Sequence, residues 1–285
     1  MKKLLILICV AMALAISCFS RTIPINPLMI PVLIVHEKGA GSDVFLQLSN
    51  SVYLATARHV LFSEPEGTNP PVLLSSKATV ISYSLSRGTN ISERTVNLDL
   101  VQLLNAVEVH FSTNRDVALV RIEDCQPSNP EVVRLLPGVT FVTPEVSLKT
   151  YSLPNLCLLS DVDVGADVFM FGYPTSLTAT APIRNMFDPT QPLLRKGIVA
   201  GISPNKRIII VDCPSYQGNS GGPVLQVDHP SLGEMTFKII GLVSSFVPFQ
   251  EEWENKTYRY SYVGISNSGY TVIVPIDAAL ELVWK

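Results

Sequence analysis

Twelve short runs of β-branched and other apolar residues, cut by turn signals and divided into two sets of six, constrain the fold of this chain more than any other feature. The first set is LMIPVLIVHE, DVFLQLS, VYLATARHVLF, PVLLSSKATVISYSL, TVNLDLVQLL and DVALVRI, and it ends near Ile122. The second is ADVFMFGYP, LLRKGIVAGIS, RIIIVDC, GPVLQVD, FKIIGLVSS and GYTVIVPI. Runs of this length, rich in Val, Ile, Leu and Tyr and punctuated by Gly, Pro, Asn and Ser, predict strands in a sandwich or barrel. Between the sets, residues 123–160 carry Pro127, Pro130, Pro137, Pro144 and Pro154 and read as a crossover with little regular structure. A linker of that length is ordinary between two units and unusual inside one. The closing DAALELVWK begins with an Asp in N-cap position and reads as a short terminal helix over residues 277–284. The expectation is an all-β chain with β units at about 28–122 and 161–275.

Composition narrows the function. Only 16% of the 285 residues are charged and 47% are hydrophobic, which suits a packed core and not a disordered chain. No Lys/Arg stripe or basic patch is visible, so a nucleic-acid partner is not expected. The N-terminus, MKKLLILICVAMALAISC, has a basic start at Lys2 and Lys3 and an apolar run from Leu4 to Ile16. That run is too short to span a bilayer of about 30 Å and fits a signal peptide over residues 1–17, with Ala15 and Ser17 at the −3 and −1 positions. An exported protein is expected: secreted, periplasmic or held at the cell envelope. AISC also resembles a bacterial lipobox, although Ala15 stands where that motif prefers Leu, and a lipid on Cys18 is the one membrane contact the sequence suggests. Cys18, Cys125, Cys157 and Cys213 are too scattered for a disulfide framework, and spacing does not decide whether Cys125 and Cys157 pair. His36, His59, His110 and His229 form no cluster with metal-ligand spacing, so neither a metal nor another cofactor is expected.

The stretch YQGNSGGPV, residues 216–224, sets Ser220 among glycines between two apolar runs. A glycine inside a strand costs about 0.5–1 kcal/mol relative to alanine, so this is a turn; the question is whether it is only a turn. A serine hydroxyl is a weak nucleophile unless a base lies within hydrogen-bond reach and a third group orients that base. YLATARHVLF places His59 directly after a strand, and NRDVALVRI places Asp116 at the head of an apolar one. Each alone has an ordinary explanation, as a surface histidine or as a strand-start cap.

Together, TARHV, DVALV and GNSGGPV, in the order His, Asp, Ser, resemble the three catalytic motifs of the chymotrypsin/trypsin-like serine peptidases. GADVFMFGYPTSL, RKGIVAGIS, IIIVDCPSYQGNSGGPV and IIGLVSS resemble, in order, the second barrel of bacterial-type trypsin-like peptidases related to the Deg (high-temperature-requirement) group. The resemblance spans about residues 28–285 and is loosest between 63 and 110. It implies two six-stranded antiparallel β-barrels with a short C-terminal helix, in a peptidase domain of residues 25–285 with no PDZ domain after LVWK. It also implies a serine endopeptidase acting on a protein or peptide substrate. Ser220 is the implied nucleophile, His59 the base and Asp116 the orienter, with the N–H groups of Gly218 and Ser220 as the oxyanion hole. An imidazole base implies that kcat/KM falls as pH drops through about 6 to 7. Pro214 stands at the implied pocket base, where nothing attracts Lys or Arg. Ser244, Ser245 and Phe246 form the implied pocket strand, with Phe246 narrowing an entrance that Gly269 faces, unless ordinary strand packing explains it. The segment 175–194 is a long insert that could gate the site.

Two departures from the digestive enzymes stand out. Asn219 replaces the Asp that pairs there with a newly cut N-terminus, and Val60 replaces a disulfide cysteine. An amide that satisfies its hydrogen bonds locally needs no such ion pair. The alternatives are a catalytically silent fold of this type used as an exported binding module, and an esterase on another fold. The second is disfavoured because α/β-hydrolases run Ser, Asp, His along the chain.

Overall fold

In the computed structural model, strands β1 to β9 build the first unit and β10 to β15 the second. The structure describes residues 29–63, 70–85, 91–126, 129–143, 148–175, 188–228 and 236–284. The signal-peptide segment, Cys18 and most of the 175–194 insert lie outside these residues.

The first unit is one antiparallel sheet of nine strands in the order β6-β7-β3-β2-β1-β4-β5-β9, with β8 also paired to β7. The strands are β1 Val32–His36, β2 Gly39–Leu48, β3 Ser51–Thr56, β4 Lys77–Leu85, β5 Ile91–Asp99, β6 Val109–Phe111, β7 Ala118–Gln126, β8 Asn129–Leu135 and β9 Val139–Phe141. The second unit, β10 Asp167–Gly172, β11 Leu193–Ser203, β12 Ile208–Asp212, β13 Pro223–Asp228, β14 Thr236–Asn255 and β15 Tyr260–Pro275, closes as a six-stranded barrel. The expected all-β class holds. The expected six strands are found in the second unit, while the first carries nine in a path that its hydrogen bonds do not close.

Alternation sorts the apolar residues into three cores. Along β2, Phe45 points into the first unit, while Val44, Leu46 and Leu48 join a second core. β3 does the same, sending Val52 and Leu54 inward and Tyr53 and Ala55 outward. A strand buried on both faces reads as a continuous apolar run, which is why both are plain in the sequence. The second core glues the two units together, since it also takes Phe171, Leu225 and Val274, and Leu280 from the terminal helix α3, Asp277–Val283. Each fully buried side chain of this size is worth about 1.5–3 kcal/mol. The third core, with Met170, Val199 and Ile240, fills the closed barrel.

Three expectations need correction. The run LVQLL is a helix, α2 (Leu100–Asn105; α1 is Arg58–Leu61), because Asp99 caps it by accepting from the Gln102 N–H at 2.9 Å and Leu100 and Leu103 share its buried face. The 123–160 stretch is not a bare crossover, since β8 and β9 add to the first sheet there. Pro130 is tolerated because β8, among the described residues, is an edge strand paired only with β7, and Pro137 falls in the turn before Gly138, whose φ is +96°. Finally, FKIIGLVSS and GYTVIVPI are only the inner ends of β14 and β15, which continue outward as a two-stranded ribbon to Asn255 and Tyr260. Cys125, Cys157 and Cys213 are all free; Cys157 and Cys213 sit in the barrel core while Cys125 packs on the first one.

Glu123 on β7 lies opposite Val52 and Leu135, is 4% exposed, and leaves Oε2 without a partner among the described residues. Burial pushes its carboxyl up to about 7. A carboxyl raised in the folded state favours the protonated fold, so stability falls as pH rises from about 4.5 to about 7 and stays low above that. Glu123→Gln is expected to stabilise the protein by about 3 kcal/mol at pH 8 and by almost nothing at pH 4. Urea titration at the two pH values measures the difference, and equal gains at both would refute this account.

Candidate active site

Ser220 sits in the turn between β12 and β13, whose shape demands glycine at two positions. Gly218 has φ +93°, and a Cβ there would lie 2.2 Å from the Tyr173 carbonyl oxygen; Gly221 has φ +82°, and its Cβ would meet the Ser42 carbonyl at 2.1 Å. The turn is closed by the Asn219 N–H donating to Tyr216 O and the Gly222 N–H to Asn219 O, both at 2.9 Å. It is fastened to β14 by the Gly221 N–H donating to Val243 O at 2.7 Å. The Gln217 carbonyl is drawn away by two donors of Thr175, its N–H at 2.8 Å and its hydroxyl at 3.1 Å. Neither the Gly218 nor the Ser220 N–H donates to a backbone carbonyl among the described residues.

His59 projects from α1, one turn beyond β3. Its Nδ1 lies 2.8 Å from Asp116 Oδ2, and its backbone N–H donates to Asp116 Oδ1 at 3.0 Å. Both carboxylate oxygens therefore grip one residue. Asp116 lies two positions before β7, in a loop held by Arg58, whose guanidinium donates to the carbonyls of Ser112 at 3.0 Å and Thr113 at 3.1 Å. Burial pushes the Asp116 carboxyl up. The hydrogen bond and charge of His59, the Ser244 hydroxyl and the His59 N–H outweigh that, and the net effect holds it below the usual carboxylate range. The stability this contributes is present above the ordinary carboxylate pKa and is lost only as pH falls below it.

One cleft of about 830 Å³ collects His59, Asp116, Ser220, Ser215, Ser244 and Phe246 among its lining residues. Ser245 lines it as well. Ser244, expected only as a pocket residue, turns its hydroxyl onto Asp116 Oδ2 at 2.6 Å, and its carbonyl lies 3.5 Å from Ser220 Oγ. Pro214 is not among the lining residues, and the wall there is made by Ser215 instead. Ser215 is held by the Asn267 amide donating to its carbonyl at 2.6 Å and by the Thr271 hydroxyl at 3.0 Å from its own. Phe246 is exposed at the cleft, and Gly269, with φ +91°, is likewise absent from the lining.

Ser42 was not legible as a site residue, because GAGS reads as a turn. It lies on β2, fully buried, and clamps the Ser220 turn from the other unit. Its hydroxyl donates to the Gly218 carbonyl at 2.6 Å and accepts from the Tyr173 N–H at 3.0 Å, while its own N–H donates to Ser220 O at 2.8 Å. Asn219 contributes less than expected. Its side chain is buried and, among the described residues, its Oδ1 has no partner, so local satisfaction of that oxygen is not what holds the turn.

A family model for the trypsin-like peptidase domain matches residues 41–233, and the chain belongs to that family. No curated protein matches it. Among solved structures, the chain is similar to the HtrA-type protease AlgW bound to a tripeptide, at 14% identity and TM-score 0.45, covering 91% of this chain and 60% of that one. A serine-to-alanine form of AlgW with tripeptide gives 13%, 0.44, 91% and 60%. A human pathogenic astrovirus serine protease gives 12% identity and TM-score 0.39, covering 90% of this chain and 93% of that one. The chain thus spans 60% of the length of the AlgW chains it matches.

Proposed function

We propose that this is an exported serine endopeptidase that cuts peptide bonds through His59, Asp116 and Ser220. The observation that carries the reading is the doubly held His59–Asp116 pair, with Nδ1 to Oδ2 at 2.8 Å, in one cleft with a serine on a glycine-constrained turn. Ser220 Oγ attacks the substrate carbonyl, and its proton passes to Nε2 of His59. Asp116 fixes the tautomer in which Nε2 carries no proton and can accept one, and stabilises the imidazolium. The carbonyl oxygen, now negative, is received by the Gly218 and Ser220 N–H groups, each worth about 3–4 kcal/mol to the transition state. His59 returns the proton to the leaving amine; water then repeats the sequence on the acyl-enzyme and frees Ser220. Export is supported by the basic start and short apolar run of residues 1–17.

A small fluorophosphonate probe tests the mechanism without any assumption about substrate. Stoichiometric labelling that peptide mapping places on Ser220 is expected; no labelling of the folded protein would overturn the reading.

Ser42 acts here as a positioning residue. Ser42→Ala strips the Gly218 carbonyl and the Tyr173 N–H of their partner, a loss of about 1–3 kcal/mol for each buried group left unpaired. It is expected to lower kcat about tenfold with little change in KM, because the loosened turn costs more once charge develops on the substrate oxygen. A rise in KM alone would show the clamp to be structural. Because this clamp comes from β2 and not from a cut N-terminus, protein starting near Cys18, with extra residues ahead of it, is expected to be active unprocessed. Activity against casein or peptide esters that appears only after cleavage would show otherwise.

A further inference from the structure

The β14–β15 ribbon is the largest feature that the catalytic reading leaves unused. β14 is paired on both edges only as far as Val243: β13 covers it up to Leu242, and the Gly221 and Gly222 backbones bond Val243. From Ser245 to Asn255 β15 holds one edge, with bulges at Ser244 and Val247, and among the described residues no strand pairs with the other. This open edge starts inside the cleft, where the Ser244 carbonyl lies 3.5 Å from Ser220 Oγ. It then runs outward for about 30 Å over the ten residues to Trp253. The ribbon is tied to the cleft wall at its base, where Asn267 on β15 donates to the Ser215 carbonyl at 2.6 Å.

Its side chains are unusual for a solvated ribbon. Opposed pairs place Trp253 with Tyr262 and Asn255 with Tyr260 on one face, which Phe249 shares two pairs inward. Trp253 and Tyr262 are each 64% exposed. The open-edge strand also carries Glu251, Glu252 and Glu254 and, between Ser244 and Asn255, no cation. Long unpaired edges invite another strand. A second copy docking edge to edge would set these carboxylates against one another, so the edge suits a chain of opposite charge.

Building on the peptidase reading, we propose that the ribbon is an extended docking edge for the substrate itself. It pairs with an unfolded polypeptide that adds antiparallel to β14, so that residues N-terminal to the scissile bond run outward along it. The preferred segment is about eight residues long, carries apolar side chains for the Phe249–Trp253–Tyr262 face, and has a Lys or Arg for Glu252 and Glu254 on the opposite face, Glu251 lying between Phe249 and Trp253.

The test separates this from catalysis. Fluorescent peptides share the same residues around the scissile bond and are extended N-terminally from about four to about ten residues. Their binding to the Ser220→Ala protein is measured by anisotropy, which needs no turnover. An extension bearing apolar residues and Lys is expected to tighten Kd at least tenfold, and the same extension with Glu for Lys should lose most of that gain. In Trp253→Ala and Glu252→Lys proteins the ratio of long-peptide to short-peptide affinity should fall below about threefold. Equal affinities for long and short peptides in the unaltered ribbon, or a ratio that survives both substitutions, would overturn the proposal. So would sedimentation data in which those substitutions dissolve a dimer and leave the ratio untouched. Probe reactivity of Ser220 reports separately on the peptidase reading, so the two can fail independently.

Discussion

Replacing Ser220 with alanine is expected to lower peptide hydrolysis by about 10⁶-fold and to abolish fluorophosphonate labelling, with the fold unchanged. The size of the effect follows from where the residue stands. Its hydroxyl is partly exposed in the cleft and makes one long contact, to the Ser244 carbonyl at 3.5 Å. The turn around it is held by backbone bonds and by Ser42, none of which uses the Ser220 side chain. Nothing structural is therefore lost with the hydroxyl, and thermal unfolding should move by less than about 1 kcal/mol, as for a substitution away from packed features. A residual rate of about 10³–10⁴ over water is expected from the oxyanion N–H groups and binding alone. Hydrolysis by Ser220→Ala protein at more than about one hundredth of the original rate would refute the nucleophile assignment, and unfolding would refute the reading of the turn.

The same turn shows what a sequence can and cannot reveal here. GNSGGPV is legible because its backbone shape admits only glycine at 218 and 221, so geometry is written directly in residue type. β2 and β3 are legible because burial on both faces fills their centres, Val44–Leu46 and Val52–Ala55, with unbroken apolar runs. The clamp of Ser42 on Gly218 is not legible, since it joins residues 176 apart and a buried serine looks like any turn serine. Asn219 misled in the opposite direction: an amide in place of a charge suggested local hydrogen bonding, yet among the described residues Oδ1 is left without a partner and the turn is held from β2. The ribbon escaped for a third reason. In FQEEWEN only Phe249 and Trp253 are apolar, four positions apart with Glu251 and Glu252 between them, and among the described residues no core covers either face, so the period-two signature of a half-buried strand is missing. Its turn chemistry was the available signal, with the Asn255 side chain accepting from the N–H groups of Thr257 at 3.1 Å and Tyr258 at 3.0 Å.

Asp116→Asn is expected to cost about 10⁴-fold in kcat while leaving the site's geometry almost intact. In the native protein Oδ1 accepts the His59 N–H, and Oδ2 accepts both from the Ser244 hydroxyl at 2.6 Å and from His59 Nδ1. An asparagine keeps one acceptor and turns the other oxygen into an NH₂ group. The backbone N–H can only donate, so the remaining carbonyl oxygen stays with it and the NH₂ faces Nδ1. The ring must then accept at Nδ1 and carry its proton on Nε2, the atom that has to receive the proton from Ser220. The Ser244 hydroxyl can reverse from donor to acceptor, so it keeps its bond and the loop keeps its place. The defect is thus one of tautomer and lost charge. Three measurements check the chain of reasoning. Circular dichroism of Asp116→Asn protein at pH 7 should match that of the native protein, while thermal unfolding falls only by the stability that the lowered carboxylate contributes. KM for a short peptide should change far less than kcat. Combining Asp116→Asn with Ser220→Ala should add almost nothing to the loss from Ser220→Ala alone, because the residues act as a unit. A loss smaller than about tenfold, or losses that multiply in the double variant, would mean that Asp116 shapes the loop without controlling the proton on His59.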